Sequence, residues 1–109
     1  MKLLRRCTTA RDVDVSIILL DWNCRESFHC LDYIAEQTAG RERYEVMWIE
    51  YYDRVPDAMA RKQQAAIDAG EHPPIDTWLV MQQPEGVYYH KHLMYNAGAA
   101  LARGRIVVI

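Results

Sequence analysis

The sequence lacks several features that mark whole classes of protein. It has no surplus of basic charge, because its 109 residues carry 13 lysines and arginines against 15 aspartates and glutamates, for a net charge of −2. Nucleic-acid-binding domains usually present a basic patch or stripe, so we expect no nucleic-acid partner. The longest apolar run, residues 15–20, is far shorter than the roughly 20 residues that span a bilayer. The basic start at residues 1–6 is not followed by the apolar core of a signal peptide.

Cysteine and glycine are both missing from positions where two kinds of site would need them. The three cysteines, Cys7, Cys24 and Cys30, form no Cys-x-x-Cys pair, and their odd number fits reduced thiols in the cytoplasm. Residues 21–26, which follow the first apolar run, contain no glycine. This excludes the dinucleotide-binding fingerprint and the phosphate-binding P-loop. We therefore predict a cytoplasmic protein that has neither of these nucleotide sites.

What the sequence does contain is an alternation of strand and helix patterns. Asn23 and Glu26 have the spacing of a capping box at the start of the first helix. The alternation predicts right-handed crossovers and one α/β domain over residues 1–109. We expect a three-layer, Rossmann-like fold with a mostly parallel sheet of about four strands and helices on both faces. The predicted strands are 15–20, 44–52, 75–81 and 105–109, and the predicted helices are 23–37, 56–70 and a last one that carries Asn96 and Gly98 and stops at Gly104.

Four motifs then occur in an order that one enzyme family shares. Residues 15–23, VSIILLDWN, are similar to that family's first strand, and residues 30–38, CLDYIAEQT, to the end of its first helix. Residues 44–50, YEVMWIE, are similar to its second strand, which leads into an acidic pair. Residues 96–104, NAGAALARG, resemble the segment before its metal-binding Asp-x-Asp. Taken together, the chain resembles the amino-terminal half of a family-2 glycosyltransferase, a nucleotide-diphospho-sugar transferase of GT-A fold.

The resemblance implies a site for a nucleoside diphosphate sugar, usually a UDP-sugar. An aromatic ring at the first strand end would stack on the base, and an acidic residue at the second strand end would contact uracil and ribose. A basic residue before the last helix would approach the pyrophosphate. The intact enzyme would transfer the sugar, with inversion, to an acceptor hydroxyl that the sequence does not identify. The positions implied for nucleotide-sugar binding are Leu20, Asp21, Trp22, Glu50, Tyr51, His90, Lys91 and Asn96.

The chain departs from the family pattern at three positions and stops before two of its motifs. Tyr51 replaces the second acid, Asp53 a common serine and Tyr95 the usual arginine. The family uses a divalent Mn²⁺ or Mg²⁺, but its Asp-x-Asp and its carboxylate base would come after Ile109. We therefore expect a truncated nucleotide-sugar-binding domain with no catalytic residue and no metal ligand of its own.

Each candidate residue also has a structural alternative. Trp22 is either a base platform or a partly buried packing residue, and Glu50 is either a ligand contact or a solvated strand-end charge. His90 and Lys91 either bind phosphate or lie on a solvated helix face. Asn96 either contacts the ligand or bonds to a loop and lets the helix pack tightly at Gly98.

Three further patterns need an interpretation. Asp12-Val-Asp14 has the letters of Asp-x-Asp but precedes the first predicted strand, at the wrong end of the sheet. His90 and His92 are two residues apart, and on a helix such side chains point about 200° apart, so we predict no metal there. Tyr88 and Tyr89 either line the mouth of a substrate site or shield the sheet.

A different class of function stays open beside the enzyme. A truncated domain without a catalytic half would leave part of its sheet uncovered by other elements. Such a domain would act as a non-catalytic nucleotide-binding module or would associate with itself through that exposed apolar surface.

Overall fold

The computed structural model describes residues 1–6, 12–25 and 27–109. Cys7 of the cysteine set and Glu26 of the predicted capping box lie outside the described residues. Within those ranges, no helix is long and apolar enough to cross a membrane. The elements are β1 (Lys2–Arg6), β2 (Val15–Asp21), α1 (His29–Ala35), a short 3-10 helix (Arg41–Arg43), β3 (Tyr44–Tyr52), α2 (Asp57–Asp68), β4 (Thr77–Gln83), α3 (Lys91–Leu101) and β5 (Ile106–Val108).

The fold is α/β, as predicted, but its sheet is mixed and has five strands in the order β1-β4-β3-β2-β5. Strands β2, β3, β4 and β5 pair in parallel, whereas β1 pairs antiparallel to β4. The prediction of a mostly parallel four-stranded sheet was therefore wrong. It missed β1 because three of that strand's five residues are basic and the strand is mostly exposed, so it lacks the continuous apolar pattern of a buried parallel strand. Charged edge strands of this kind are common.

The segment after β2 is a turn where a helix was predicted. The backbone of Asn23 lies in the left-handed region with φ of 65°. Asp21 Oδ1 accepts a hydrogen bond from the Cys24 backbone N–H at 3.1 Å. Local side-chain bonds of this type compete with helix formation. Helix α1 therefore begins at His29 rather than at Asn23.

Strand β3 lies in the centre of the sheet and supplies the core on both of its sides. Its alternate side chains enter two separate clusters, as the two-residue period of a strand requires. Trp48 packs in the cluster that includes Leu31 of α1 and Met59 of α2. Met47 packs in the cluster that includes Met94 of α3. The central strand thereby fixes all three helices relative to one sheet.

A buried polar network holds the chain between α3 and β5. Glu45 is 1% exposed, and its Oε1 accepts hydrogen bonds from Ser16 Oγ at 2.6 Å and from the Arg103 backbone N–H at 2.7 Å. Its Oε2 accepts one from Arg103 Nε at 3.0 Å. The Gly104 backbone N–H donates to Ser16 Oγ at 2.8 Å. This network places β5 beside β2.

Candidate functional site

The carboxyl ends of parallel strands meet at one edge of the sheet, where α/β proteins bind their ligands. At this edge Asp21 of β2 lies opposite Glu50 of β3 in the strand register. Arg54, two residues beyond β3, donates from Nη1 to Asp21 Oδ2 at 3.2 Å and to Glu50 Oε1 at 3.4 Å. One guanidinium therefore joins the two carboxyl groups.

Glu50 is an unusual acid because it is buried rather than solvated. Both it and Asp21 have no exposed surface. Burial, reinforced by the negative charge of Asp21, raises the pKa of Glu50 to about 8, and the charges of Arg54 and Arg25 offset this only in part. Glu50 Oε2 is buried and has no hydrogen-bond partner among the described residues. At neutral pH the Glu50 carboxyl therefore holds a proton.

A stack of three aromatic rings stands beside this acid pair. The indole of Trp22 stacks on Tyr89 with ring centres 4.3 Å apart and planes 10° from parallel. Tyr89 stacks in turn on Tyr88, with ring centres 4.8 Å apart. Lys91 Nζ lies 5.1 Å from the centre of the Trp22 ring. Trp22 is thus partly buried by packing, and an ammonium group lies close to it.

Hydroxyl groups of β3 hold the loop that carries the tyrosine stack. Tyr51 donates from its hydroxyl to the Tyr88 carbonyl at 3.2 Å, and Tyr52 donates to the Val87 carbonyl at 2.9 Å. The position of Tyr89 against Trp22 is therefore fixed from the sheet.

Two grooves share Trp22 as a lining residue. The first has a volume of about 430 Å³ and is lined by Trp22, Arg25 and Lys91 together with Leu20, Cys24 and Ile109, among others. The second has a volume of about 260 Å³ and is lined by Trp22, Asn23, Tyr52, Arg54 and Glu85. Each groove therefore combines the Trp22 indole with at least one cationic side chain.

The structure brings together some of the predicted site residues and separates others. Asp21, Trp22, Glu50 and Lys91 lie at the same edge. Leu20 is buried in the core but contributes to the first groove. Tyr51 is also buried and reaches the site only through its hydroxyl.

Asn96 and His90 are placed differently. Asn96 is exposed on α3, five residues beyond Lys91, and is not among the residues lining the two grooves. Helix α3 packs closely on β2 at Gly98, as predicted, because an added Cβ there would lie 2.9 Å from Ile18 Cγ2. His90 is exposed at the residue before α3.

The prediction that His90 and His92 point apart was wrong. It assumed that both residues are helical, but the His90 backbone is extended, with φ of −127° and ψ of 102°. The two imidazole centres are 5.4 Å apart. In the described part of the chain, no group of three or more histidine, cysteine, aspartate or glutamate side chains is arranged to hold a metal ion.

Four residues of this edge were not predicted from the sequence. Arg54 and Glu85 follow strands in loops, and the only signal for them was their position just beyond a predicted strand end. Arg25 was assigned to a helix, and Tyr52 to the strand itself. No protein-family model, no curated protein and no solved structure matches the chain significantly.

Proposed function

We propose that this chain binds a nucleoside diphosphate sugar, with UDP-sugar preferred, as the amino-terminal domain of a cytoplasmic, inverting family-2 glycosyltransferase with a three-layer GT-A fold. The observation that supports the proposal is the pair of grooves that Trp22 lines. They lie at the carboxyl ends of parallel strands, the part of an α/β fold that holds nucleotides. Their cationic side chains and aromatic wall suit a base in one groove and a diphosphate in the other.

The first groove suits the diphosphate. Lys91 is the first residue of α3, so the helix N-terminus and the ammonium group both favour an anion there. The guanidinium of Arg25 is held in place because its Nε and Nη2 donate to the Leu20 carbonyl, at 3.2 and 3.0 Å. Its position over the Trp48 ring, 5.2 Å from the ring centre, restricts it further. Two cations positioned in this way would bind phosphate oxygens through charge-assisted hydrogen bonds.

The second groove suits the base. Trp22 offers an aromatic wall, and Tyr89 supports the indole by stacking on it. Behind Arg54, the protonated Glu50 carboxyl presents one donor and one acceptor, which complement the N3–H and O4 groups of uracil. Arg54 must move aside for this contact, because Glu50 is buried beneath it. We propose that the base replaces Arg54 as the hydrogen-bond partner of the Glu50 carboxyl.

The transfer reaction would also need a carboxylate base and a divalent metal ion, and we assign neither role to a residue of this chain. The acceptor oxygen would bond to the anomeric carbon as the bond from that carbon to the diphosphate breaks, and a carboxylate base would take the hydroxyl proton. A divalent Mn²⁺ or Mg²⁺ would stabilise the departing diphosphate. The part of this chain is to bind and orient the nucleotide.

Calorimetric titration with UDP, ADP and GDP tests the proposal. We expect UDP to bind more tightly than ADP or GDP. Lys91→Ala should weaken UDP binding roughly tenfold, and Glu50→Ala should also weaken it. Arg61→Ala is the matched control, because Arg61 is exposed on α2 and its loss changes the net charge by the same amount. Equal binding of the three nucleotides, or equal losses in Lys91→Ala and Arg61→Ala, would contradict the proposal.

A second candidate function, self-association as a non-catalytic module, is favoured by strand β5. It pairs with β2 and ends the sheet. Ile106, Val107, Val108 and Ile109 are exposed, by 44% or more of each residue's surface. An apolar edge strand without charge or proline readily pairs with another strand. Sedimentation that shows a monomer at all concentrations, unchanged by Val107→Lys, would exclude this candidate.

A further inference from the structure

Two histidines at the start of α3 form a pair that the proposed function does not use. His90 precedes the helix, and His92 lies in its first turn. Both are exposed, and their ring centres are 5.4 Å apart with planes at 62°. The residue between them, Lys91, lies close to the Trp22 ring.

This separation is that of two imidazoles on one metal ion. With metal–nitrogen bonds of about 2.1 Å and a tetrahedral angle between them, two ligating imidazole rings have centres roughly 5 Å apart. Exposed side chains can make the small rotation that aims a nitrogen of each ring at a common point. The extended backbone of His90 is what makes this convergence feasible, since two helical residues at this spacing would diverge.

We propose that His90 and His92 form a two-histidine site for a borderline transition-metal ion such as Ni²⁺, Cu²⁺ or Zn²⁺. Imidazole is a preferred ligand for these ions. The positive end of α3 and the ammonium group of Lys91 oppose any cation, so binding depends on metal–imidazole bonds rather than on charge. Hard ions that need oxygen ligands, such as Mg²⁺, are therefore excluded from the site. Water completes the coordination, which leaves the bound metal open to exchange.

The site does not depend on nucleotide binding and is tested without it. Ni²⁺ is titrated calorimetrically into the whole chain at pH 7.5, with the thiols kept reduced in every sample. We expect one Ni²⁺ site that His90→Gln and His92→Gln each weaken by roughly tenfold or more. His29→Gln is the matched control, because His29 is an exposed histidine on α1 and its loss should leave the site intact. Mg²⁺ should give no binding.

Each alternative result is decisive. If His29→Gln weakens Ni²⁺ binding as much as His90→Gln does, the histidines bind individually and the pair is not a site. Retention of the site in the variant that lacks both His90 and His92 would also overturn the proposal, as would a wild-type chain that binds no Ni²⁺. Failure of UDP to bind would affect only the proposed function.

Discussion

Asp21 and Glu50 lie opposite each other on neighbouring parallel strands, and a single guanidinium, that of Arg54, contacts both carboxyl groups. Both acids are completely buried. The chain thus places two acids with one cation in a region of low dielectric, where a second negative charge is costly. Glu50 stays protonated at neutral pH for this reason, and the free energy of unfolding depends on pH between about 4.5 and 8.

We expect Glu50→Gln to stabilise the fold at pH 8.5 and to change its stability little near pH 4.5. The pKa of Glu50 rises from 4.5 to about 8 on folding, so between these values the unfolded chain loses a proton that the folded chain keeps. The free energy of unfolding therefore falls as pH rises through this window. Glutamine resembles the protonated acid and removes this loss, which we put at about 2 to 4 kcal/mol.

Urea unfolding at pH 4.5, 7 and 8.5 measures the effect. Glu71→Gln is the control, because Glu71 is exposed and its replacement should leave the pH dependence unchanged. If the stability curves of the wild type and of Glu50→Gln run parallel across this range, the assignment of a protonated Glu50 is wrong.

Asp76 shows the opposite pH dependence. It is buried, and it accepts hydrogen bonds from the Val46 backbone N–H at 2.8 Å and from Arg41. His72 Nε2 lies 2.7 Å from its other oxygen. Burial opposes ionisation of Asp76, but the charge of Arg41 and these hydrogen bonds hold its pKa below the ordinary value of 3.8. The stabilisation that it gives is present above pH 3.8 and is lost as pH falls through the lower, folded-state pKa.

We therefore expect Asp76→Asn to lower the free energy of unfolding by roughly 3 to 5 kcal/mol at pH 7, because it leaves Arg41 beside an uncharged group in a partly buried site. The cost should shrink at pH 3, where the wild type has lost part of the same stabilisation. Asp32→Asn is the control, since Asp32 pairs with Lys62 while 48% of its side chain is exposed, and it should change stability little. A cost of Asp76→Asn that does not change between pH 7 and pH 3 would contradict this account.

Gly104 is required by a close approach of two backbones. A Cβ at this position would lie 2.5 Å from the Ser16 backbone nitrogen, which cannot move without shifting β2. Gly104→Ala should therefore destabilise the chain by about 1 to 3 kcal/mol. Gly86→Ala is the matched control, because, apart from its chain neighbours, no described residue lies within 4 Å of the added Cβ. Equal unfolding midpoints for the two variants in chemical denaturation would show that β5 does not need this contact.

The central part of the fold was predictable because its buried strands are rich in apolar residues. The predicted strand at 44–52 matches β3, and the predicted strand at 15–20 matches β2 to within one residue. Both strands consist mostly of apolar and aromatic residues because they lie inside the sheet. Strand β1 is at an edge, where exposure removes that signal. Helix α1 was predicted too long because the hydrogen bond from Cys24 to Asp21 forms a turn, which no apolar spacing reveals.

The candidate site was predictable only as far as strand ends could be recognised. Asp21, Trp22 and Glu50 were found because each ends or follows a strand. Arg54 was missed because its role depends on the burial of two acids from different strands. The tyrosine stack needed the loop conformation that Tyr51 and Tyr52 fix through their hydroxyl groups. The convergence of His90 and His92 depends on one extended residue before α3.

The stack of Tyr89 on Trp22 leads to a last prediction, which rests on the proposed function. If the base packs against Trp22 in the second groove, then Tyr89→Ala should weaken UDP binding roughly three- to tenfold, because the indole loses its support. Tyr89→Phe keeps the ring and should bind UDP as the wild type does. Trp22 is the most exposed of the three tryptophans, since Trp48 and Trp78 are buried. A red shift of the emission in Tyr89→Ala would therefore report the exposure of Trp22 independently of the ligand. Tighter UDP binding in Tyr89→Ala, accompanied by this red shift, would mean that Tyr89 occupies the position of the base and blocks it.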